Sequence, residues 1–441
     1  MKNSSHNQIN AYPTKSFFID MLVKDIPLID AIADLVDNSV DAALKLREDE
    51  NLTGLKVDLC LNKETFSISD NCGGFTSEIA RNYAFRFGRP EGAPDIPKSI
   101  GRFGVGMKRA LFKLGNNIHI SSKTSDSYFD VNIDINEWKN EPDVWSWEFD
   151  NLIEKTQEGE FGTTIIVKNI YPQVAEKFSQ STFIDTLIKE IRVSHEKVLE
   201  KGLVIVINGI QLAFTPSTLY VSDDIKPAYF KKELNGVDVE IIVGASQTGH
   251  PREAGWYIYC NGRLIVAANK TQLTGWGDGH ALFHPNHAMF RGYVFFESNR
   301  SSLLPWNTTK NGVDEESEIF KAIRPLMIDM MKPVTNFLKK LKSNPYDGDD
   351  GTEGEEYETE KSLYDYVNDA QLLNISSINK NELPGRFKAP HVRVTRRTNT
   401  QKIQYNIPIE KVEKAKEVLQ ASSLKEVGEQ TFEYFYRMEC R

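Results

Sequence analysis

The chain has 441 residues, 40% of them apolar and 10% aromatic, with 53 Lys and Arg against 62 Asp and Glu and a formal charge of −9; that length suffices for two or three domains. The acidity is local: Asp347–Glu360 contains eight acids and no base, so the remainder is close to neutral and an anionic partner such as nucleic acid is not excluded. No apolar run approaches the roughly 20 residues of a membrane span, Met1–Gln8 lacks the blocks of a secretory signal, and Cys60, Cys72, Cys260 and Cys440 form no CxxC pair. A soluble, reduced, cytoplasmic protein with no membrane partner is the expectation.

From about Phe17 to Leu46 the apolar residues recur at helical spacing, with Ile29, Ile32, Ala33, Val36 and Val40 on one face. Leu55–Cys60 and Thr65–Ser69 alternate as strands around a turn at Asn62 and Lys63. Phe85–Pro97 is dense in Gly and Pro and reads as an irregular loop. Strands follow at Asn117–Ser121, Tyr128–Ile135 and Thr163–Val167, so an α+β sandwich with helices over one face of a mixed sheet is expected for about 1–175. A second unit opens with a helix at Phe183–Lys201 and continues with strands at Leu203–Asn208, Val239–Val243, Trp256–Ala267 around an Asn261-Gly262 hairpin signal, and Met289–Glu297. Glu315–Lys342 reads as mostly helical, interrupted or kinked near Pro325 and Pro333. The acidic stretch reads as a solvated linker, Ser362–Leu383 is ambiguous, and a basic strand-like segment from Val392 leads into helical Ile409–Gln420 and a last helix ending in Phe432-Glu-Tyr-Phe-Tyr436.

Three motifs in the first 110 residues carry chemistry. Asp34-Leu-Val-Asp-Asn38-Ser-Val-Asp41 places Asp34 and Asn38 one helical turn apart on one face. Asp70-Asn-Cys-Gly-Gly74 is a carboxylate at a strand end followed by a glycine turn, and Gly101-Arg-Phe-Gly104-Val-Gly106-Met-Lys108 is a glycine-rich loop entering a helix. Asp70 suits the exocyclic amine of a purine, and Gly73 and Gly74 permit close backbone approach. Asn38 offers a neutral oxygen of the kind Mg2+ accepts beside its waters. Asp34 reaches the same place as a base or water-orienting group. The loop N–H groups and Lys108 point to phosphate. Each motif alone is a common surface helix, turn or loop; the three in order describe an ATP site.

Their order and spacing resemble the GHKL ATPases (DNA gyrase B subunit, heat-shock chaperones, histidine kinases, MutL) over about 1–340, most closely the MORC and prokaryotic MORC-like branch. The resemblance implies a Bergerat-type ATP-binding α/β sandwich (1–175), a ribosomal-S5-like transducer domain (176–343), an acidic linker (344–361) and a small C-terminal α+β region (362–441). It implies a Mg2+-dependent ATPase in which Asp34 occupies the catalytic acid position, Asn38 the Mg2+ position, Asp70 and Gly74 the adenine contacts, and Gly101, Gly104, Val105, Gly106, Met107 and Lys108 the phosphate loop. Gly162-Thr163 resembles the later Gly-Thr step, whose Thr hydroxyl supports the adenine contact. Pro305–Lys310 resembles the transducer loop whose lysine touches the γ-phosphate, with Lys270 as the competing lysine.

Two departures stand out. The family usually carries Glu where this chain has Asp34, shorter by one methylene, about 1.5 Å; misplacing a catalytic group by about 1 Å costs on the order of a hundredfold, so slow turnover is expected. Cys72 replaces a usual glycine and reads as structural. By resemblance, residues 76–106 form a lid, two copies dimerise when nucleotide binds, and Tyr12–Phe18 crosses to the partner copy. DNA is the expected client, in a bacterial DNA-processing or phage-defence setting. A non-catalytic ATP-dependent scaffold and a chaperone stay open, although 340–441 is too short for the middle and dimerisation domains of heat-shock chaperones. A histidine kinase is disfavoured, since His6 is the only histidine before the motifs. Arg386, Lys388, Arg393, Arg396, Arg397 and Lys402 form a basic patch that could meet nucleic acid or the acidic linker, the Phe432–Tyr436 stripe reads as core or a partner-helix face, and His280, His284 and His287 read as a loop rather than a metal site.

Overall fold

The computed structural model describes residues 11, 13–47, 49–88, 97–101, 104–155, 159–247, 251–342, 357–359, 361–390, 394–396 and 403–440. Tyr12, most of the acidic linker, lid residues 89–96 and 102–103, and Arg393, Arg397 and Lys402 lie outside them, as does the side chain of Arg396. The chain divides into two compact units, one of 1–344 with 361–392 and the other of 345–360 with 393–441.

The apolar pattern over 17–46 becomes two helices, α1 (Lys15–Lys24) and α2 (Leu28–Leu46). The break at 25–27 has a local cause: Ile26 precedes Pro27, whose ring disfavours helical geometry in the residue before it. Behind α2 stands an eight-stranded sheet. Its members are β1 (Lys56–Leu61), β2 (Thr65–Asp70), β3 (Gly115–Lys123), β4 (Ser127–Asp134), β5 (Asn151–Glu154), β6 (Gly162–Ile170), β7 (Val204–Ile207) and β8 (Ile210–Gln211). They are ordered β5-β4-β3-β6-β2-β1-β7-β8, antiparallel except where β7 runs parallel to β1. Burial alternates along the strands as their pleat requires: Val57, Leu59 and Leu61 of β1 and Phe66 and Ile68 of β2 face the core. Ile32, Val36, Val40 and Ala43 of α2, all fully buried, belong to the same core.

The sequence places Leu203–Asn208 in a second domain starting at 176, whereas β7 and β8 extend the first sheet. An apolar run such as Val204-Ile-Val-Ile207 fits a strand in either sheet, and only its parallel register beside Lys56–Leu59 assigns it. The helix expected over 183–201 is divided at His195 into Ser181–Ser194 and Glu196–Glu200.

The second sheet contains Ala228–Leu234, Val237–Ala245, Phe290–Glu297, Gly255–Cys260 and Arg263–Asn269, in that order across the sheet. The Asn261-Gly262 signal is a two-residue hairpin turn with φ of 47° and 77°, the left-handed pair such turns demand. The helix Glu318–Lys342 runs through Pro325 and Pro333 without interruption. Its stripe of Met327, Met331, Val334, Phe337 and Leu338 is buried, and that packing outweighs the hydrogen bonds the prolines remove. Part of the expected C-terminal region joins this first unit: Gln371–Asn374 pairs antiparallel with Thr218–Val221, and Phe387 packs on Phe337.

In the second unit, Tyr357–Thr359 pairs with Val394–Arg396, and Ile409–Leu419 and Leu424–Glu439 form a helical hairpin. Phe432, Tyr434, Phe435 and Tyr436 are all exposed, so the aromatic stripe is not core. Phe432, Phe435 and Tyr436, at i, i+3 and i+4, share one exposed face of the helix, with Tyr434 turned away from it.

Candidate nucleotide site

Asp70 ends β2, and every hydrogen bond it receives is from a neutral group. Ser39 Oγ donates to Oδ2 at 2.7 Å, and the backbone N–H groups of Cys72 and Thr163 donate to Oδ1 at 3.0 and 3.3 Å. Burial pushes its carboxyl above the usual range, against those three bonds. Thr163 thus supports Asp70 through its backbone, while its hydroxyl lies 3.4 Å from Ser122 Oγ. Two glycines make the assembly possible. A Cβ on Gly162 would stand 1.8 Å from the carbonyl oxygen of Asp70, and one on Gly74, at φ +66°, would stand 2.6 Å from the carbonyl oxygen of Lys123. The close approach at Gly74 is therefore to the backbone of β3 and β6. Cys72 is buried, with its thiol pushed up by desolvation, in keeping with a structural position.

Asp34 lies on the buried face of α2, with both oxygens held by cations. Lys310 Nζ is 3.1 Å from Oδ1, and Arg109 Nη2 is 2.6 Å from Oδ2. Burial pushes the Asp34 carboxyl up, but Lys310 and Arg109 outweigh it and hold it below the usual range. Gly106 packs on the same side chain: a Cβ there would meet Asp34 Oδ2 at 3.1 Å. The first and third motifs are therefore in contact. Lys270, the competing lysine, donates instead to the carbonyls of Ala254 and Ala268.

Asn38, one turn on from Asp34, is exposed, and its side-chain amide has no hydrogen-bond partner among the described residues. Its free carbonyl oxygen is of the neutral kind that Mg2+ accepts, in keeping with the role the resemblance assigns to Asn38. The glycine-rich segment is otherwise engaged. Ile100 N and Gly101 N donate to the two oxygens of Asp41 at 2.8 and 2.9 Å, and Ser99 Oγ donates to Oδ2. Val105 precedes the helix Gly106–Leu114, and Met107 packs against the core. Lys108 is not an open point charge: its buried Nζ donates to the carbonyls of Ala84 and Gly104, and desolvation lowers its pKa to about 8. It ties the start of this helix to the end of 76–84.

Several residues that the motifs do not single out complete the arrangement. Asp37, fully buried, receives Lys310 Nζ at 2.7 Å on Oδ2, contacts Arg263 with that same oxygen, and faces His195 Nε2 at 3.0 Å with Oδ1. Helical geometry puts Asp37 about 60° round from Asp34, and a single ammonium bridges the two. Asn261, in the hairpin turn, donates to the carbonyl of Ser99 at 3.1 Å, and Asn311 donates to Asp30 at 2.7 Å. An acid three residues from a motif acid is a weak signal, and partners 158 positions away leave none in the local sequence.

Two cavities among the described residues, of about 460 and 570 Å3, are not lined by Asp34, Asn38, Asp70 or Lys310. The three histidines have structural partners: His280 Nε2 is 2.8 Å from Thr335 Oγ1, His284 caps the turn at Asn286, and His287 packs on Trp276.

Residues 26–163 match the family described as histidine kinase-, DNA gyrase B-, and HSP90-like ATPase. That match supports the GHKL superfamily. The mixed α/β architecture with its large mixed sheet fits a GHKL ATPase fold, and ATP binding and hydrolysis are general to the family. The GHKL span includes all three motifs and ends at Thr163, so Lys310, Arg263 and His195 lie beyond it. No curated protein gives a match. No helix among the described residues is long and apolar enough to cross a membrane.

Proposed function

We propose that this chain binds ATP with Mg2+ at the Asp34–Asp70 site and hydrolyses it slowly. The observation that carries the reading is convergence: Gly106 and Arg109 from the helix after the glycine-rich loop, and Lys310 from 276 positions along the chain, all meet Asp34 inside a GHKL-matched segment. In this reading Asp70 and Gly74 receive the adenine, with Thr163 behind Asp70. Gly104, Val105, Gly106 and Met107 follow the phosphates, with Lys108 bracing the loop, Asn38 holds Mg2+, Asp34 orients the attacking water and Lys310 meets the γ-phosphate. Bound Mg2+ neutralises phosphate charge in the transition state. Slow turnover follows from the short Asp34 side chain and from the two cations that depress its basicity.

The finer reading is an ATP-gated homodimer in which closure of 76–106 and movement of the later part of 176–343, the segment that carries Lys310, clamp DNA in a bacterial DNA-processing or phage-defence role. Its support is the similarity of Phe85–Gly88 and Lys98–Ala110 to the MORC-type lid and following helix. A second reading, a non-catalytic ATP-dependent scaffold that recruits a protein through its C-terminal region, is favoured by the cation held on each Asp34 oxygen.

One series of measurements separates them: molecular mass and phosphate release for the wild type, Asp34→Ala and Asp34→Glu. Each is measured with ADP, with a non-hydrolysable ATP analogue, and with analogue plus DNA. The clamp reading expects analogue-dependent dimers that retain DNA, release by wild type abolished in D34A, and faster release by D34E. Equal release by wild type and D34A, with unchanged mass, leaves only the scaffold.

A further inference from the structure

We propose that Arg109 is an additional γ-phosphate ligand of this site, and that its transfer from Asp34 to the nucleotide frees the Asp34 carboxylate for its role with water. The inference rests on the ATP reading above and extends it to a residue outside the three motifs' assigned positions.

The first argument is charge. Asp34 and Asp37 are in direct contact with three cations, Arg109, Lys310 and Arg263. Asp30 and Asp41 take their hydrogen bonds from neutral donors, Asp30 from Asn311 and Asp41 from Ser99, Ile100 and Gly101, and both stand close enough to act on Arg263 or Lys310. His195 is held uncharged at neutral pH, since burial lowers it to about 4. Four acids thus face three cations, so an incoming phosphate finds no surplus cation and must take one from an acid that holds it.

The second argument is unmet donors. A guanidinium has five N–H donors in a fixed fork. Arg109 spends Nη2 on Asp34 and, at 3.5 Å, on the carbonyl of Thr308, while its buried Nε has no acceptor. The buried Nε of Arg263 is likewise without one. A phosphate offers several oxygens to one fork, which a single carboxylate oxygen does not. Arg109 is on the helix that begins at Gly106, itself packed on Asp34, so the guanidinium stands where the glycine-rich loop delivers phosphate.

The third argument is the state of Asp34. Gripped on both oxygens, it is a poor proton acceptor, and bringing a γ-phosphate beside it unaided sets two anions against each other. If Arg109 and Lys310 turn to the phosphate, both difficulties are relieved together: the phosphate gains two cations and Asp34 recovers its basicity. ADP lacks that phosphate and leaves the pairs intact. No bond is made or broken in this exchange, only ion-pair partners.

The test is nucleotide affinity of the full-length protein in Mg2+, measured for ADP and for a non-hydrolysable ATP analogue. In Arg109→Gln, analogue affinity is expected to fall by roughly tenfold or more while ADP affinity stays within about twofold, as loss of one charge-assisted contact to the γ-phosphate requires. Arg109→Lys should recover part of it, and retained ADP binding reports that each variant is folded. In Asp34→Asn, the competitor for Arg109 is weakened, so analogue affinity should rise, and the rise should vanish in the D34N/R109Q double variant. An analogue-to-ADP ratio unchanged in R109Q, or a D34N gain that survives removal of Arg109, overturns the proposal and leaves Arg109 as a support for Asp34. Wild-type protein that binds neither nucleotide overturns the ATP reading and this proposal with it.

Discussion

Around Asp70 the contacts are neutral and come from nearby in the fold: a serine of α2, two backbone N–H groups, and glycines that let β6 and the 72–74 turn approach one another. Around Asp34 and Asp37 the contacts are ionic, and Lys310, Arg263 and His195 come from beyond residue 163. The first end is completed within the GHKL-matched segment and has no opposing charges to separate. The second is completed only when later parts of the chain dock, and it is held by ion pairs that an anion can exchange. In the ATP reading proposed above, this difference gives a stable seat for the base and a phosphate end sensitive to what occupies it.

The strongest test of that contrast is Asp37→Asn. It is nearly isosteric and leaves Lys310 and Arg263 buried with less neutralisation, a change that costs about 3–5 kcal/mol when a buried pair is broken. A urea midpoint lowered accordingly is expected; a loss under about 1 kcal/mol would mean that the ionic end contributes little to the fold. Next is Gly162→Ala, at the neutral end. The added Cβ overlaps the Asp70 carbonyl, so β6 must shift, at an overpacking cost of about 1–3 kcal/mol. Thermal unfolding should show the loss together with weakened binding of both ADP and ATP analogue. Selective loss of the analogue alone would place Asp70 at the phosphate end instead.

The smallest expected effect is a pH dependence at Lys108. Its pKa in the fold, about 8, is below the usual 10.5. Between those values the unfolded chain binds more protons than the fold, so stability rises with pH across that window. A shift of that size corresponds to about 3 kcal/mol over the window; the two carbonyl acceptors favour the charged lysine and bring the expected gain down to about 1 kcal/mol. Lys108→Met removes it. An identical pH slope in the variant would show that Lys108 is already free of its carbonyls in solution, and with it the tie between 76–84 and the glycine-rich loop.

Much of this molecule is legible in its amino-acid sequence. The alternating runs of β1, β2 and β4 reappear as strands to within a few residues, and the Asn261-Gly262 turn has the backbone its composition implies, because period and turn chemistry are local properties. Other features are not legible there, each for an identifiable reason. Pro325 and Pro333 signal breaks, but a long buried stripe holds their helix continuous. Val204–Ile207 has a strand's composition but nothing that names its neighbour. Lys108 reads as a phosphate cation, and folding buries it against two carbonyls instead.

The sequence by itself determined which chemistry is present: an acid and an amide one turn apart on α2, a carboxylate before a glycine turn, and a glycine-rich entry to a helix. Spacing along one element decides that much, since a helix places positions i and i+4 on one face wherever it is built. Only the tertiary structure decided how the acids are held. Asp37 bridged to Asp34 by Lys310, Arg109 closing the other side, and Asn261 steadying Ser99 all depend on segments tens to hundreds of positions apart. Ion pairing responds to distance in space and to burial, and neither is encoded in local pattern.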